Sequence, residues 1–309
     1  MIIHDGYENP GLIFPVVTLG IFDGVHMGHK ALLNCLVSRA VEENGTSVVI
    51  TFDPHPRMVL SEKQEGFSLL TTMDEKKRLL ENAKIDHLII ILFDRDFSNL
   101  NACDFVDKVL VKKIGTRHLI VGYDHHFGKH GEGNYDTIKQ CAESLNFKVE
   151  QIPQVVTPDG AISSSSIREA LLNGKLEMAN RCLGYDYSLS GKIIGGRRLG
   201  RNLGFPTANI EPDDKYKLIP GDGVYAVEAD LGNQILPGML SIGLNPTVNK
   251  GTKSRSIEVH IFNFERDIYG KHINVIFRYW LRNEIRFENV KQLAEQMVLD
   301  KQQSLRLLT

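Results

Sequence analysis

The stretch Phe14-Pro15-Val16-Val17-Thr18-Leu19-Gly20-Ile21-Phe22-Asp23-Gly24-Val25-His26-Met27-Gly28-His29 decides how the first half of the chain is read. Its first seven residues form a short apolar run ending in glycine, the pattern of a buried strand. Residues 27–43 then place Ala31, Leu32, Cys35, Leu36, Val37, Ala40 and Val41 at helical spacing. The intervening glycines fall where a strand turns into a helix, the place at which α/β sheets bind phosphates. Glycine lets backbone N–H groups approach an anion, and the helix N-terminus adds partial positive charge. His26 and His29 are three apart and can face one side of that helix start. Two imidazoles there suit charge that builds on a transferring phosphoryl group; two capping or core histidines are the alternative.

Working outward, the same alternation continues. Apolar runs at 47–52, 87–93, 118–122 and 147–152 read as strands, separated by helical patterns near 72–83, 101–113 and 134–145. Strands apolar on both faces, alternating with amphipathic helices, predict a doubly wound α/β domain with a parallel sheet. Past Gly184 the texture changes. Strand patterns at 188–194, 223–230, 234–242, 256–262 and 272–281 follow one another with Gly/Pro/Asn-rich turns between them, predicting a small antiparallel β-barrel. A last amphipathic helix spans about 290–308. The boundary is placed at 183–188, giving domains 1–184 and 185–309.

The chain has 309 residues, 42% of them hydrophobic and 24% charged, which excludes a disordered tail and a collagen. No apolar run is long enough to span a membrane, and the first residues lack a secretory signal pattern. The four cysteines, Cys35, Cys103, Cys141 and Cys182, are widely spaced without Cys-x-x-Cys, so no zinc clasp or disulfide framework is signalled and a cytoplasmic location is expected. The net charge of -2 argues against nucleic acid as a partner. It hides an asymmetry, however: residues 1–184 carry 19 Lys/Arg against 24 Asp/Glu, and 185–309 carry 17 against 14. Lys192, Arg197, Arg198 and Arg201 fall within ten positions, a cluster suited to a phosphorylated small molecule. Composition carries no oligomer signal; a monomer or weak oligomer is expected.

Two further segments carry chemistry. Ser163, Ser164 and Ser165 with Arg168 precede or open the apolar helix Ile167–Leu172 and suit a triphosphate, while Ser166-x-x-Glu169 reads as a capping box. In Arg197-Arg198-Leu199-Gly200-Arg201-Asn202-Leu203-Gly204-Phe205-Pro206-Thr207-Ala208-Asn209, glycines interleaved with arginines make a cationic loop able to fold over phosphates. Thr207 and Asn209 then point to one face of an extended segment, as oxygen ligands for nucleotide-borne Mg²⁺. An Asx-type turn entering a strand is the alternative there.

These residues carry a resemblance. Gly20-x-Phe22-Asp23-Gly24-x-His26-x-Gly28-His29 resembles the signature of nucleotidyltransferases, most closely the adenylyltransferase half of bacterial bifunctional riboflavin kinase/FAD synthetases. Thr51-Phe52-Asp53-Pro54-His55-Pro56, Val121-Gly122-Tyr123-Asp124-His125-His126-Phe127-Gly128 and Ile162-Ser163-Ser164-Ser165-Ser166-Ile167-Arg168 are similar to that family's later motifs. His125 stands where an aromatic is usual and Ser165 where threonine is usual. In the second half, Gly204-Phe205-Pro206-Thr207-Ala208-Asn209, Ser241–Thr247 with Asn245, Ile257–Phe262 and Leu281–Phe287 resemble riboflavin kinases, which form a six-stranded barrel.

The resemblance implies two reactions with ATP and Mg²⁺. Riboflavin is phosphorylated to FMN, with Glu258 as the base that takes the 5′-hydroxyl proton. FMN then attacks the α-phosphorus of a second ATP, giving FAD and pyrophosphate. That attacking oxygen is already an anion, so His26 and His29 are assigned to transition-state charge. Gly20, Phe22, Asp23, Gly24, Gly28, Asp124, Ser163, Ser164, Ser165 and Arg168 are the expected nucleotide and flavin contacts of the first half. Arg197, Arg201, Gly204, Phe205, Pro206 and Asn245 are those of the second, and Thr207 and Asn209 hold the metal. Arg282 and Arg286 near the last helix read equally as flavin or phosphate ligands and as ion-pair partners. The competing readings are an adenylyltransferase whose second domain only binds flavin, and a flavin-responsive binding protein without catalysis.

Overall fold

The computed structural model describes residues 1–8, 10–61, 66–157, 160–195, 204–244 and 255–309. They fall into two compact units, Met1–Ser163 and Ser164–Thr309.

The first unit is built on six parallel strands: β1 (Ile2–Asp5), β2 (Pro15–Leu19), β3 (Thr46–Asp53), β4 (His87–Leu92), β5 (His118–Gly122) and β6 (Lys148–Ile152). Their order is β1-β4-β3-β2-β5-β6. Neighbouring residues on each strand bury toward opposite faces, as a sheet covered on both sides requires. Val16, Val49, Leu88 and Ile120 pack on Leu32, Leu33 and Leu36 of α1 (Met27–Glu42). Val17, Ile50, Ile89 and Leu119 pack on the other face, against Phe105, Val106, Val109, Leu110 and Ile138. The doubly wound α/β reading is what the structure shows. Five strands match the apolar runs; β1 is additional. It pairs with β4 from Ile2↔His87 to Asp5↔Ile90, and as a four-residue edge strand with Ile2 and Ile3 exposed it has no apolar run to reveal it.

The chain runs outward from β2 to β3 and β4 on one side and to β5 and β6 on the other. β2 therefore borders the point where strand order reverses, the crevice that binds ligands in open α/β sheets. Short helices α2 (Pro56–Leu60), α3 (Met73–Asn82), α4 (Arg95–Ser98) and α5 (Ala102–Asp104) follow, the last continuing as a π-helical stretch at Phe105–Val111. Then come α6 (Tyr135–Leu145) and a hairpin of β7 (Val156–Thr157) and β8 (Gly160–Ala161).

The second unit opens with α7 (Ser164–Leu172) and α8 (Leu176–Leu183) and closes a six-stranded antiparallel barrel. Its strands are β9 (Ser188–Ile194), β10 (Ala208–Pro212), β11 (Gly223–Asp230), β12 (Ile235–Leu244), β13 (Arg255–Ile261) and β14 (His272–Arg282), ordered β10-β13-β12-β11-β14-β9. Register shifts between β11 and β14 at Val224/Tyr225 and Ala226/Val227 supply the bends that closure needs. Five barrel strands match the sequence patterns; β10 is the sixth, too short and too close to Pro212 to stand out. Helix α9 (Val290–Leu308) brings Met297 and Leu305 against Phe205, Met239 and Phe262.

Helices α7 and α8 cluster with the barrel, upstream of the 183–188 change in texture. Gly221 N–H donates to Leu171 O (2.9 Å) and Asn180 Nδ2 to Phe277 O (3.0 Å). A Cβ on Gly221 would stand 2.3 Å from Leu172 O, so only glycine admits that approach. Helix α7 also begins at Ser164 rather than after a cap at Ser166. The capping-box expectation is therefore corrected: Ser164, Ser165 and Ser166 lie in the helix's first turn.

Candidate active sites

In the first unit, Gly20 N–H extends the β2 ladder by donating to Ile50 O (3.0 Å). The chain then turns in little space, with Phe22, Gly24 and Val25 at φ of 51°, 83° and 34°. A β-branched residue in that region is strained and must be held from outside. The hold comes from the segment before α3. The Asp23 carboxylate accepts from Leu70 N–H (3.0 and 3.1 Å), Thr71 N–H (3.0 Å) and the Thr71 hydroxyl (3.3 Å), and Gly24 N–H donates to Thr71 Oγ1 (3.0 Å). Thr72 and Glu75 form a reciprocal capping box, so the latch is built on a fixed helix end.

The turn delivers two stacked imidazoles. His26 is the N-cap of α1, its Nδ1 accepting from His29 N–H at 3.3 Å, which leaves the proton of a neutral ring on Nε2. The two ring centroids are 3.6 Å apart and the planes 15° from parallel. A Cβ on Gly28 would lie 3.2 Å from His26 Cε1 and Nδ1, so glycine there lets the ring fold back. Burial drives the His29 pKa well below the ordinary imidazole value, with the charges of His26 and Lys76 adding to it. His29 is thus neutral at pH 7, and its Nδ1 is buried without a partner among the described residues. Asp124 lies exposed just past β5, the strand beside β2. The neighbouring His125 has its pKa pushed down to about 4 by burial, then by His126, and stacks on Phe127 with centroids 5.8 Å apart. It is neutral, as the aromatic usual at this position would be.

In the second unit the polar cluster is held by strand pairing. Asn209 of β10 lies directly opposite Glu258 of β13, and Thr207 Oγ1 donates to Glu258 Oε2 at 3.2 Å. The buried ring of His260 donates through Nδ1 to Pro206 O (2.8 Å) and packs edge-on to Phe205 and Phe262. That bond pins the carbonyl one residue before Thr207. Burial lowers the His260 pKa, so the ring is a neutral donor.

Residues 14–166 match the family model described as FAD synthetase, and residues 183–308 match the one described as riboflavin kinase. A bifunctional riboflavin kinase/FMN adenylyltransferase from Bacillus subtilis is 36% identical over 294 residues, 94% of this chain and 92% of that one. One from Listeria monocytogenes is 38% identical, over 93% of this chain and 90% of its own. The chain belongs to the bifunctional riboflavin kinase/FMN adenylyltransferase family. A crystal structure described as a macrolide-efflux protein from Streptococcus pneumoniae is also similar, with a TM-score of 0.89, 29% identity and 98% coverage of both chains. No helix among the described residues is long and apolar enough to cross a membrane.

In the FAD synthetase domain one turn brings together Gly20, Phe22, Asp23, Gly24, His26, Gly28 and His29. Exposed Ser163 precedes α7; Ser164, Ser165 and Arg168 lie on that helix in the second unit. In the kinase domain Thr207 and Asn209 lie at Glu258, Pro206 is held through its carbonyl by His260, Phe205 is buried against Met239 and Phe262 just after Gly204, and Arg197, Arg201 and Asn245 fall outside the described residues. Two side chains expected to touch ligand are committed elsewhere. The Asp23 carboxylate is saturated by the latch above, where backbone amides replace water. Arg282 donates from Nε and Nη2 to the buried Asp300 carboxylate (2.9, 3.1 and 2.6 Å), clamping α9 to β14. Sequence reading assigned no role to His260 or Lys76. His260 shares a face with Glu258, the one signal available. Lys76 sits in the run Asp74-Glu75-Lys76-Lys77-Arg78, which looks like a solvated helix face.

Proposed function

We propose that this chain phosphorylates riboflavin with ATP to give FMN, then adenylylates FMN with a second ATP to give FAD and pyrophosphate. The functional division is 1–184 for adenylyl transfer and 185–309 for the kinase. The reading is carried by the placement of carboxylates. Glu258 is held by Thr207 opposite Asn209, whereas the Gly20–His29 turn has one carboxylate, Asp23, and that one is engaged by backbone N–H groups.

The difference matches the chemistry each step needs. The riboflavin 5′-hydroxyl is neutral and must lose a proton as it attacks the γ-phosphorus, so Glu258 acts as base and the Thr207 hydroxyl orients it. The FMN phosphate is already an anion, so its transfer needs charge stabilisation and alignment. His26 and neutral His29 offer N–H donors to the oxygens of the α-phosphorus, and the glycines admit the backbone N–H groups of the turn. The Thr207 hydroxyl, the Asn209 amide oxygen and the Glu258 carboxylate are hard oxygen donors that fit Mg²⁺. Bound there, the ion would neutralise phosphate charge. The protein acts in the cytoplasm on small molecules as a monomer or weak oligomer, without nucleic acid.

The test is a product assay on the purified chain with riboflavin, ATP and Mg²⁺. FMN is expected first and FAD second. Glu258→Ala should abolish FMN formation yet convert supplied FMN to FAD, and His29→Ala should accumulate FMN. Neither product from the parent chain rejects the reading, and loss of both steps in folded Glu258→Ala rejects the division of labour.

A further inference from the structure

Lys76 lies one turn into α3, on the helix whose N-terminus is latched to the Gly20–His29 turn. It is 5% exposed, and among the described residues its ammonium makes no hydrogen bond and no ion pair. Burying a cation without a partner is costly, and lysines escape it by reaching water or a carboxylate. This one has its stem buried and no carboxylate within ion-pair distance among the described residues. Its charge acts on His29, and the Asp23 and Asp53 carboxylates act on it from beyond ion-pair distance. Asp23 is already satisfied by Leu70 and Thr71, and Asp53 ends β3 at the same edge of the sheet as the turn. Burial lowers the Lys76 pKa, and those two carboxylates oppose the fall. An ammonium so placed has room for an anion as its direct partner.

We propose that Lys76 is a phosphate-binding residue of the adenylyl-transfer site, pairing with an oxyanion of either the FMN phosphate or the ATP triphosphate beside His29. This rests on the reading of the Gly20–His29 turn as that site. A point charge on a flexible stem suits an oxygen whose position shifts during transfer, and it complements the neutral ring of His29. The exposed Asp74 and the half-buried Lys77 pair with each other (3.8 Å), which separates the solvent face of α3 from this one.

The test is Lys76→Met, similar in volume but uncharged, with Lys76→Arg beside it, both in the full chain. The expected kcat/KM for FAD formation from supplied FMN falls about 100-fold in Lys76→Met and recovers in part in Lys76→Arg, while FMN formation by the same chain is unchanged. A rise in KM for FMN identifies the flavin phosphate as the anion; a rise in KM for ATP identifies the triphosphate. The unliganded Lys76→Met chain should melt no earlier than the parent, because an unpaired buried charge has been removed. FAD synthesis at the parent rate overturns the proposal, and so does loss of FAD synthesis together with a lowered melting temperature, which marks a structural role. His29→Ala measured alongside separates the failures: both variants active means the turn is not the site, and Lys76→Met alone active means the lysine is not part of it.

Discussion

In the turn after β2 two stacked imidazoles sit on a strained backbone, tied down by a carboxylate that is itself buried. Along β10 and β13 the candidate side chain is a carboxylate, set opposite Asn209 by an ordinary strand ladder and held by one threonine, while a histidine pins the carbonyl before that threonine. In the proposed reading both regions serve phosphorus transfer from ATP, with the acid a fastener in one and a base in the other. The nucleophile explains the contrast. An alcohol needs a proton acceptor, whereas a phosphate needs its charge, and that of its target, neutralised and aligned.

The contrast breaks first at Glu258. Glu258→Gln keeps the shape and the Thr207 contact but cannot accept a proton, so FMN formation should fall by about 10²–10⁴ while FAD formation from supplied FMN stays intact. A comparable loss in both steps would erase the distinction between the two sites. The buried clamp gives the next largest effect. Asp300→Ala strands Arg282 and should cost about 3–5 kcal/mol, read as a lowered denaturation midpoint for the barrel. An unchanged midpoint would return Arg282 to the pool of free ligand-binding cations.

His29→Ala sharpens the other side. FAD formation should drop by about 10²–10³ with no change in KM for riboflavin in the kinase step. Gly28→Ala should have a smaller effect in the same direction, because its methyl would stand 3.2 Å from the His26 ring and displace it; an FAD rate equal to the parent would show the stacking to be incidental.

The mildest effect is in pH. The His29 pKa is lowered in the folded chain, so an unfolded chain binds that proton first as pH falls through 6.5. The neutral ring therefore contributes stability above that value and loses it in more acid solution. Imidazole resonances followed by NMR should show His29 still neutral at pH 6.5; a midpoint at or above that value would remove the neutral-donor assignment.

Much of this was legible from the residues. Strands β2 to β6 are apolar on both faces, so they appear as runs without knowledge of their partners. The Gly20–His29 turn showed its position at a strand–helix junction, and Thr207, Asn209 and Glu258 lie on segments whose strand spacing is local. What stayed hidden depends on partners far along the chain. Asp23 looked like a ligand until Leu70 and Thr71 closed on it, and Arg282 until Asp300 did. Lys76 looked solvated because its neighbours are charged; only the packing of α3 buries it.

The sequence by itself determined the two architectures, their order and the residue types at each transfer site, because strand and helix periods and glycine turns are short-range properties of the chain. The tertiary structure alone decided which polar groups remain available to a ligand. That depends on which donors and acceptors meet across 18 to 51 residues of chain, where hydrogen bonding and burial engage one carboxylate with backbone N–H groups, set another beside Thr207 and bury one lysine away from any ion-pair partner among the described residues.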